Sequence, residues 1–250
     1  MALNTAAIVA RPIAHRGLHD RAQGRIENSA SAFRAAVEAG FAIECDVQIT
    51  RDGEAAVFHD FTLDRLTTGS GKVADTPMAD LRRLTLRDST DRVGTLADMF
   101  QLVAGRSLIV CEIKSTFTGD MRLTERVAAL ARGYAGPLVV KSFDPRIVRH
   151  WNSLHTGIAA GIVAQLDYDH HEYDACTAAD KHAMANLLHF GESRPAFVSW
   201  KVGDLPSAAP YLCRVGIGLP VMTWTVRTVA DIERARAHAD QMVFEGFVPG

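Results

Sequence analysis

Two short segments of the chain carry charged residues at a spacing that suits chemistry. Glu44 and Asp46, and likewise Glu112 and Lys114, stand two positions apart within apolar, strand-like runs. Successive side chains of a strand point to opposite faces, so each pair shares one face. Charges that face inward from such runs are costly unless something compensates them. A hard divalent cation compensates three carboxylates, and a lysine beside it suits an anionic substrate, so the pattern predicts a metal- and phosphate-handling enzyme.

The overall composition narrows the class of protein. A chain of 250 residues with 48% hydrophobic and 22% charged residues is typical of one globular α/β barrel with an ample core. The net charge of −2 and the lack of any lysine or arginine block argue against a nucleic-acid partner. Apolar runs stay under about ten residues, too short to cross a bilayer. Residues 1–14 lack the cationic start and long apolar stretch of a signal peptide, so we expect a cytoplasmic protein without a membrane span.

The cysteines point to the same compartment. Cys45, Cys111, Cys176 and Cys213 show no paired metal-ligand spacing, and two of them lie inside strand-like runs. We therefore expect them to act as buried small hydrophobic side chains in a reducing cytosol, rather than as disulfides or zinc ligands.

Short strand-like runs alternate with helix-like segments along the whole chain. Strands are predicted at residues 12–17, 42–50, 107–115, 137–143, 157–163, 196–200, 220–226 and 242–247. Helices are predicted between most of them, at residues 29–39, 96–104, 121–132, 145–154, 179–188 and 229–239, with a less regular pattern at 206–215. Eight strand–helix units predict an α/β fold, the (β/α)8 TIM barrel.

One segment departs from this alternation. Residues 54–58 are typical of a strand that pairs with the second strand through a turn at Asp52-Gly53, a strong hairpin signal. Residues 61–95 are then too long for a barrel loop, so we expect a small insertion after the second strand that lies above the barrel mouth and covers the site. Residues 1–250 are predicted to form a single barrel domain, with the insertion at roughly 61–95.

The active sites of such barrels lie at the carboxyl ends of the strands, where several strands converge. Ionisable residues seldom collect there without a binding purpose. The predicted strand ends, together with the end of the hairpin, carry His15, Arg16, Glu44, Asp46, His59, Asp60, Glu112, Lys114, Lys141, Ser142 and Trp224. We expect Asp60 to orient His59, because a catalytic base needs its tautomer fixed.

Simpler interpretations of these residues stay open. Glu44 and Asp46 could form internal ion pairs with Arg16 or Lys114 rather than hold a metal. Glu112 and Lys114 could likewise pair with each other. Three acids outnumber the fixed cations nearby, which favours the metal. Trp224 suits a substrate wall and the core equally well.

Two further segments have structural interpretations. Asn28 or Ser29 is expected to cap the helix that follows, although the nearness of Glu27 and Asn28 to His15 leaves a second role in the site open. His170 and His171 stand in a polar stretch without ligand spacing, and we expect them to be solvated loop residues.

Taken in chain order, these residues resemble the glycerophosphodiester phosphodiesterase family. The resemblance spans nearly the whole chain, is densest over residues 12–67, and places each motif where the barrel prediction expects it. The matching motifs are His15-Arg16-Gly17, Glu27-Asn28-Ser29, Glu44-Cys45-Asp46-Val47, Thr50-Arg51-Asp52-Gly53, His59-Asp60-Phe61-Thr62-Leu63-Asp64-Arg65-Leu66-Thr67, Glu112-Ile113-Lys114, Ser142-Phe143 and Trp224-Thr225-Val226.

The resemblance implies a hydrolase that needs one divalent cation, Mg²⁺ or Ca²⁺, with Mn²⁺ as an alternative. Its small-molecule substrates would be phosphodiesters of glycerol, cleaved to glycerol 3-phosphate and an alcohol such as choline or ethanolamine. By similarity, Glu44, Asp46 and Glu112 would hold the metal, His15 and His59 would be the acid–base pair, and Arg16 and Lys114 would meet the phosphate. Two histidines suit in-line displacement near neutral pH, and a cyclic phosphate forms first if the glycerol hydroxyl attacks. Trp224 joins them as the candidate substrate wall.

The chain departs from the family's pattern at its end and at one helix cap. Ser29 stands where threonine is commoner, which is a conservative change. Residues 244–249 replace the more usual threonine–aspartate–aromatic–proline segment, and Glu245 could serve in place of that aspartate. The predicted elements leave the last side of the barrel without a closing helix, and a second copy of the chain in a homo-oligomer could cover it.

Three other functions are compatible with parts of the pattern. A lysophospholipase-D-like or cyclising phosphodiesterase would cleave lysolipids or stop at the cyclic phosphate, but the polar insertion shows no apolar patch for long chains. A non-catalytic barrel that binds phosphate esters would not need an acid–base pair. An enolase-like metal barrel would need one base and no second histidine for a leaving group.

Overall fold

The structure is a computed structural model that describes residues 5–249. Residues 1–4 and 250 belong to the predicted domain 1–250, and the first four also to the segment considered as a signal peptide; they lie outside the described residues. The strands are β1 Ile13–Ala14, β2 Ala42–Ile49, β3 Ala55–Val57, β4 Ile109–Ile113, β5 Leu138–Ser142, β6 Ala160–Ala164, β7 Phe197–Lys201, β8 Val221–Val226 and β9 Gln241–Phe244.

The longer α-helices lie at the predicted positions, whereas the four-residue helices α1, α3 and α8 were not predicted. They are α1 Ala6–Val9, α2 Ala30–Glu38, α3 Met78–Leu81, α4 Leu96–Val103, α5 Arg122–Ala131, α6 Pro145–Ser153, α7 Ala178–Ala185, α8 Phe190–Ser193, α9 Ala208–Tyr211 and α10 Val229–His238. Within residues 5–249, none of the helices has both the length and the apolar character that crossing a bilayer requires.

The described residues form two compact units. The first unit comprises Ile13–Lys114 and Arg122–Leu138. The second unit comprises residues 5–12, Ser115–Met121 and residues 139–249. The single-domain boundaries stay a prediction.

In the first unit, β2 pairs in parallel with both β1 and β4. The register sets Asp46 of β2 directly opposite Glu112 of β4. Strand β3 runs antiparallel to β2, with Val47 opposite Val57, which confirms the hairpin predicted from the Asp52-Gly53 turn. The pairing therefore brings charged positions that are far apart in sequence onto neighbouring strands.

In the second unit, β5 to β9 pair in chain order as parallel neighbours. Counted with β1, β2 and β4, they make eight parallel strands in the described part of the chain, with helices between successive strands. This is the element pattern predicted for a (β/α)8 barrel.

Several element boundaries differ from the predictions; for example, β9 ends at Phe244 rather than at residue 247, and α7 ends at Ala185 rather than at residue 188. Strand β1 ends at Ala14, because Arg16 and Gly17 have φ angles of 54° and 82°, which no strand permits. Strand β6 begins at Ala160 rather than at residue 157, because Gly157 has a φ of 77°. The helix predicted at 206–215 is a short α-helix, α9, followed by a π-helix over Leu212–Ile217.

Residues 61–95, which the sequence predicts to be an insertion, lie between β3 and α4. The segment contains a 3-10 turn at Val73–Asp75 and the helix α3. Its buried apolar side chains pack into one core together with Ile26, Ala56 and Phe58 from outside the insertion: Leu63, Leu66, Val73, Met78, Leu81, Leu86 and Val93. A segment with this many mutual apolar contacts is a folded part of the first unit rather than a loose loop. That it covers the site stays a prediction.

Candidate active site

The turn after β1 brings backbone and side chain towards β2. Arg16 and Gly17 both have left-handed backbone conformations, which glycine adopts without strain. A Cβ on Gly17 would lie 2.9 Å from Ala32 of α2, so the turn can approach the helix this closely only with glycine there. The Arg16 amide donates to the Glu44 carboxylate at 3.1 Å, and the preceding His15 is buried. The turn thus sets His15 and Arg16 beside an acid of β2.

Three buried carboxylates converge on neighbouring strands. Glu44, Asp46 and Glu112, which we call the acid cluster, are 0%, 1% and 5% exposed, and each offers an oxygen within 4.8 Å of the other two. They meet because Asp46 lies opposite Glu112 and because Glu44, two positions earlier, shares the face of Asp46. An all-carboxylate ligand set suits a hard cation such as Mg²⁺ or Ca²⁺. The acid cluster therefore fits a divalent cation.

Two cationic side chains contact the acid cluster. The Lys114 ammonium lies 2.8 Å from one Asp46 oxygen and also contacts Glu112, while Arg16 Nε lies 3.3 Å from the other Asp46 oxygen. The ion pairs considered from the sequence are therefore present for Asp46 and Glu112. Burial alone would raise the pKa of Asp46, but Lys114, His59 and Arg16 outweigh it and hold that pKa well below its usual value. Burial likewise opposes the charge of Lys114, and the two acids nevertheless raise its pKa.

Asn28 supports Asp46, a contact that the sequence interpretation did not include. Its side-chain amide donates to Asp46 Oδ2 at 2.9 Å, and its Oδ1 accepts from the Asp46 backbone amide at 3.1 Å. Asn28 is buried with a φ of 57°, a conformation that asparagine tolerates better than most residues. The cap of α2 is Ser29, which accepts from the Ala32 amide at 3.2 Å. The sequence offered two candidate caps, Asn28 and Ser29, for one helix, and this was the signal that one of them could have another role.

Glu27 is the second residue whose contacts were not anticipated. Its carboxylate contacts the Arg16 guanidinium and accepts two hydrogen bonds from Arg65, at 2.8 and 3.0 Å. Burial would raise the pKa of Glu27, but hydrogen bonds and charge from the two arginines lower it to about 2. Glu27 therefore stays ionised and fixes the side chain of Arg16. The signal in the sequence was an acidic residue, Glu27, shortly after the end of the first strand, where it could pair with Arg16.

His59 follows the hairpin strand β3 and faces Asp60. Its Nδ1 lies 2.8 Å from Asp60 Oδ1, and its backbone carbonyl accepts from the Gln48 side chain at 2.9 Å. Burial opposes ionisation of Asp60, but its hydrogen bond with His59 and further cationic contacts lower the pKa of Asp60 below its usual range. The expected contact of Asp60 with His59 is thus present. Both His59 and His15 lie close enough to Asp46 to lower the pKa of that carboxyl.

The remaining predicted positions lie in the second unit. Trp224 of β8 donates its indole N–H to the Ser199 carbonyl at 3.0 Å, and its ring meets Phe143 edge-on with centroids 5.4 Å apart. Lys141 and Ser142, at the end of β5, are buried. Both interpretations of Trp224, core residue and substrate wall, agree with this anchoring.

Three other sets of residues considered from the sequence have contacts or exposure that do not involve the acid cluster. Glu245 pairs with Arg227, with Oε1 3.1 Å from Nε. The four cysteines are free thiols, as expected, and three of them are buried. His170, His171 and Glu172, which we call the exposed histidine group, also offer ligand atoms within 4.8 Å of one another, but both histidines are exposed, as predicted for solvated loop residues.

The sequence is similar to known glycerophosphodiester phosphodiesterases. The model of the glycerophosphoryl diester phosphodiesterase family matches residues 15–243. The glycerophosphodiester phosphodiesterase of Caldanaerobacter subterraneus subsp. tengcongensis is 30% identical over 232 residues, which cover 89% of this chain and 88% of that protein. Glycerophosphodiester phosphodiesterase 1 of Bos taurus is 40% identical over 269 residues, which cover 90% of this chain and 74% of that protein.

Solved structures share the fold at lower sequence identity. An Oleispira antarctica phosphodiesterase in complex with the product sn-glycerol-3-phosphate matches with a TM-score of 0.77 at 18% identity, covering 96% of this chain and 94% of that chain. The glycerophosphodiester phosphodiesterase of Thermotoga maritima matches with a TM-score of 0.70 at 22% identity, covering 93% and 92% of the two chains. The likeness confirms the predicted (β/α)8 TIM barrel.

Proposed function

The chain belongs to the glycerophosphoryl diester phosphodiesterase family and is an enzyme that hydrolyses glycerophosphodiesters, and we propose that the acid cluster and the side chains around it carry out this reaction. The observation that supports the proposal most is the convergence of three buried acids, two histidines, an arginine and a lysine within the first unit. Such a density of buried charge is costly for folding and is typical of a functional site.

The acid cluster would hold one divalent cation through Glu44, Asp46 and Glu112. We favour Mg²⁺ or Ca²⁺, with Mn²⁺ as an alternative, because all three side chains are hard oxygen donors. When bound, the cation supplies positive charge that stabilises the phosphoryl oxygens as negative charge builds up on them.

Arg16 and Lys114 are proposed to bind the phosphate of the substrate. Each sits at the acid cluster with a pKa raised by the neighbouring carboxylates, so each stays protonated at any working pH. A phosphodiester anion repels nucleophiles, and these two charges would offset that repulsion before attack and in the transition state. Glu27 holds the guanidinium of Arg16 in place for this purpose.

His15 and His59 are proposed to be the acid–base pair. In-line displacement at phosphorus needs a base on the attacking side and an acid on the leaving side, and imidazoles do both near neutral pH. Asp60 holds Nδ1 of His59, which leaves Nε2 as the nitrogen that exchanges the proton. If the glycerol hydroxyl attacks, a cyclic phosphate forms first and water opens it in a second step.

The substrates proposed are small glycerophosphodiesters such as glycerophosphocholine and glycerophosphoethanolamine. The products are sn-glycerol 3-phosphate and the free alcohol. Trp224 is proposed to form a wall of the substrate site. A cytoplasmic location is supported by the free thiols, since Cys45 and Cys111 lie opposite each other on β2 and β4 and are nevertheless not bonded. A homo-oligomer stays a further proposal.

The proposal is tested with purified, EDTA-stripped protein and glycerophosphocholine or glycerophosphoethanolamine. Release of glycerol 3-phosphate is assayed with no metal and with added Mg²⁺, Ca²⁺ or Mn²⁺. His15→Ala controls for contaminating activity, and His182→Ala, which changes an exposed histidine of α7, is its matched control.

Metal-dependent release that is retained in His182→Ala and lost in His15→Ala supports the proposal. Folded protein that releases no product with any ion contradicts it. Accumulation of the cyclic phosphate would instead identify a cyclising enzyme, and release of choline from lysophosphatidylcholine alone would identify a lysophospholipase-D-like one.

A further inference from the structure

Arg65 belongs to the insertion and makes contacts outside it. It lies between Leu63 and Leu66, whose side chains are buried in the core of the insertion, and its own side chain is half exposed. The guanidinium donates two hydrogen bonds to Asp60, at 2.6 and 2.8 Å, and two to Glu27, at 2.8 and 3.0 Å. A planar guanidinium can donate two hydrogen bonds to each of two carboxylates, whereas an ammonium has only three N–H donors and cannot make four such bonds.

The two acids that Arg65 binds each hold a different residue of the proposed site. Asp60 contacts Nδ1 of His59, and Glu27 contacts the guanidinium of Arg16. Arg65 is therefore the common partner of the acid that orients a proposed acid–base histidine and the acid that orients a proposed phosphate ligand. Arg65 thus connects three segments of the chain, namely the insertion, the segment that carries Glu27 and the segment that carries Asp60.

Apolar contacts connect the same three segments of the chain. Ile26 precedes Glu27 and Phe58 precedes His59, and both are buried in the core that the insertion builds with Leu63 and Leu66. The insertion thus fixes the backbone next to Glu27 and His59 by apolar packing, while Arg65 fixes the carboxylates of Glu27 and Asp60 by hydrogen bonds. Packing fixes where the backbones lie, and hydrogen bonds fix where the oxygens point.

We infer that Arg65 is a positioning residue, through which the insertion keeps the side chains of His59 and Arg16 oriented for catalysis. The kinetic part of this inference rests on the proposed function, but the structural part does not. Without Arg65, Asp60 and Glu27 would lose two charged donors each and would be free to turn towards solvent. His59 would then lose the contact that fixes its tautomer, and Arg16 the contact that fixes its guanidinium.

The structural part is tested by NMR of ¹⁵N-histidine-labelled protein without substrate. The variants are Arg65→Ala and Arg65→Lys, and the matched control is Arg82→Ala. Arg82 lies in the same insertion, is also 50% exposed at its side chain, and also pairs with an aspartate, Asp98. The hydrogen-bonded Nδ1 proton of His59, assigned by its loss in His59→Gln, should be retained in Arg82→Ala and be lost or exchange rapidly in both Arg65 variants.

The kinetic part is tested with glycerophosphocholine in the presence of Mg²⁺. We expect Arg65→Ala to lower kcat by about 10- to 100-fold, the usual effect of removing a residue that orients a ligand or catalyst. Arg65→Lys should recover little of this loss, because an ammonium has three N–H donors and cannot make all four of the hydrogen bonds that Arg65 donates. Added guanidinium ion at millimolar concentration should restore part of kcat in Arg65→Ala and none in Arg82→Ala. Melting temperatures of the two alanine variants should agree within a few degrees.

Three results would overturn the inference. One is a His59 Nδ1 proton that is unchanged in folded Arg65→Ala. Another is a loss of kcat that Arg82→Ala matches, since that would indicate a general effect on the insertion. The third is full activity in Arg65→Lys. If wild-type protein releases no product, the proposed function fails, and the NMR comparison still decides whether Arg65 positions His59.

Discussion

The acid cluster and the exposed histidine group each bring three ligand-type side chains within 4.8 Å of one another. They differ in almost everything else. The acids are at most 5% exposed, and their charges are met by Lys114, Arg16, the Asn28 amide and a backbone N–H. His170 and His171 are exposed, and their nearness is that of sequence neighbours on one short 3-10 turn.

Proximity of ligand-type side chains is therefore not enough to make a binding site. Exposed groups are solvated by water, so nothing in the fold needs to compensate them. Buried charges must be compensated by the fold, and that compensation is built from several elements at once. The shell of oriented donors around the acid cluster is therefore the feature that distinguishes it from the exposed histidine group.

The largest expected effect is at the histidines. His59→Ala should lower kcat/KM for glycerophosphocholine by about 100- to 10,000-fold, because a positioned proton donor or acceptor is lost. His170→Ala, in the exposed histidine group, should leave kcat/KM unchanged. Steady-state kinetics on both variants decides the matter, and equal losses in the two would contradict the assignment.

Next in size is the charge of the acid cluster. Asp46→Asn keeps the shape of the side chain but removes its charge, and we expect kcat/KM to fall by about 100- to 1,000-fold, the scale of losing one electrostatic partner of the transition state. Added Mg²⁺ or Ca²⁺ should raise the melting temperature of wild-type protein and not of this variant.

Glu172→Gln is the control for that experiment, since it makes the same kind of change in the exposed histidine group. It should keep both the activity and the metal-dependent shift in melting temperature. A metal-dependent shift that persists in Asp46→Asn and disappears in Glu172→Gln would reverse our assignment of the metal site.

A smaller effect is expected at Asn28, which holds Asp46 without contacting substrate. Asn28→Ala removes both hydrogen bonds to Asp46 and places alanine at a φ of 57°. We expect metal affinity or kcat to fall by about 10- to 100-fold. Asn28→Gly relieves the backbone strain but not the lost contacts, so activity that returns in the glycine variant would show that strain alone was responsible.

The smallest effect concerns stability at acid pH. The pKa of Glu27 falls from its ordinary 4.5 to about 2 in the folded protein, so its stabilising effect is fully present above pH 4.5 and is lost as the pH falls towards 2. The free energy of unfolding of Glu27→Gln should therefore lie below that of wild type at pH 7 and approach it near pH 2. Urea unfolding across this range measures the difference, and a gap that does not narrow at low pH would contradict it.

Much of this arrangement follows from local rules. The alternation of strands and helices, the hairpin at Asp52-Gly53 and the shared face of Glu44 and Asp46 were all predictable, because they depend on the geometry of neighbouring backbone units. The contact of Asp60 with His59 was predictable for the same reason, since the two are adjacent.

Other features were predictable only in part. Strand β1 is shorter than predicted, because Arg16 and Gly17 take left-handed backbone conformations. Such a conformation is common for glycine, but nothing in the sequence predicts it for an arginine. Asn28 was considered as a helix cap, which is its common role, but Ser29 fills that position. The competition between two suitable caps is settled by the buried carboxylate that Asn28 meets, and that carboxylate is far away in sequence.

The chemistry that the chain can carry is readable from its sequence, since residue types and a two-residue spacing are enough to put Glu44 and Asp46 on one face of a strand. Which charges meet depends on the packing of distant segments. The register of β2 against β4 sets Asp46 beside Glu112, and the insertion brings Arg65 to a glutamate 38 positions earlier in the chain. Strand periodicity is a property of the local backbone, whereas the partner of a buried charge depends on how distant segments pack.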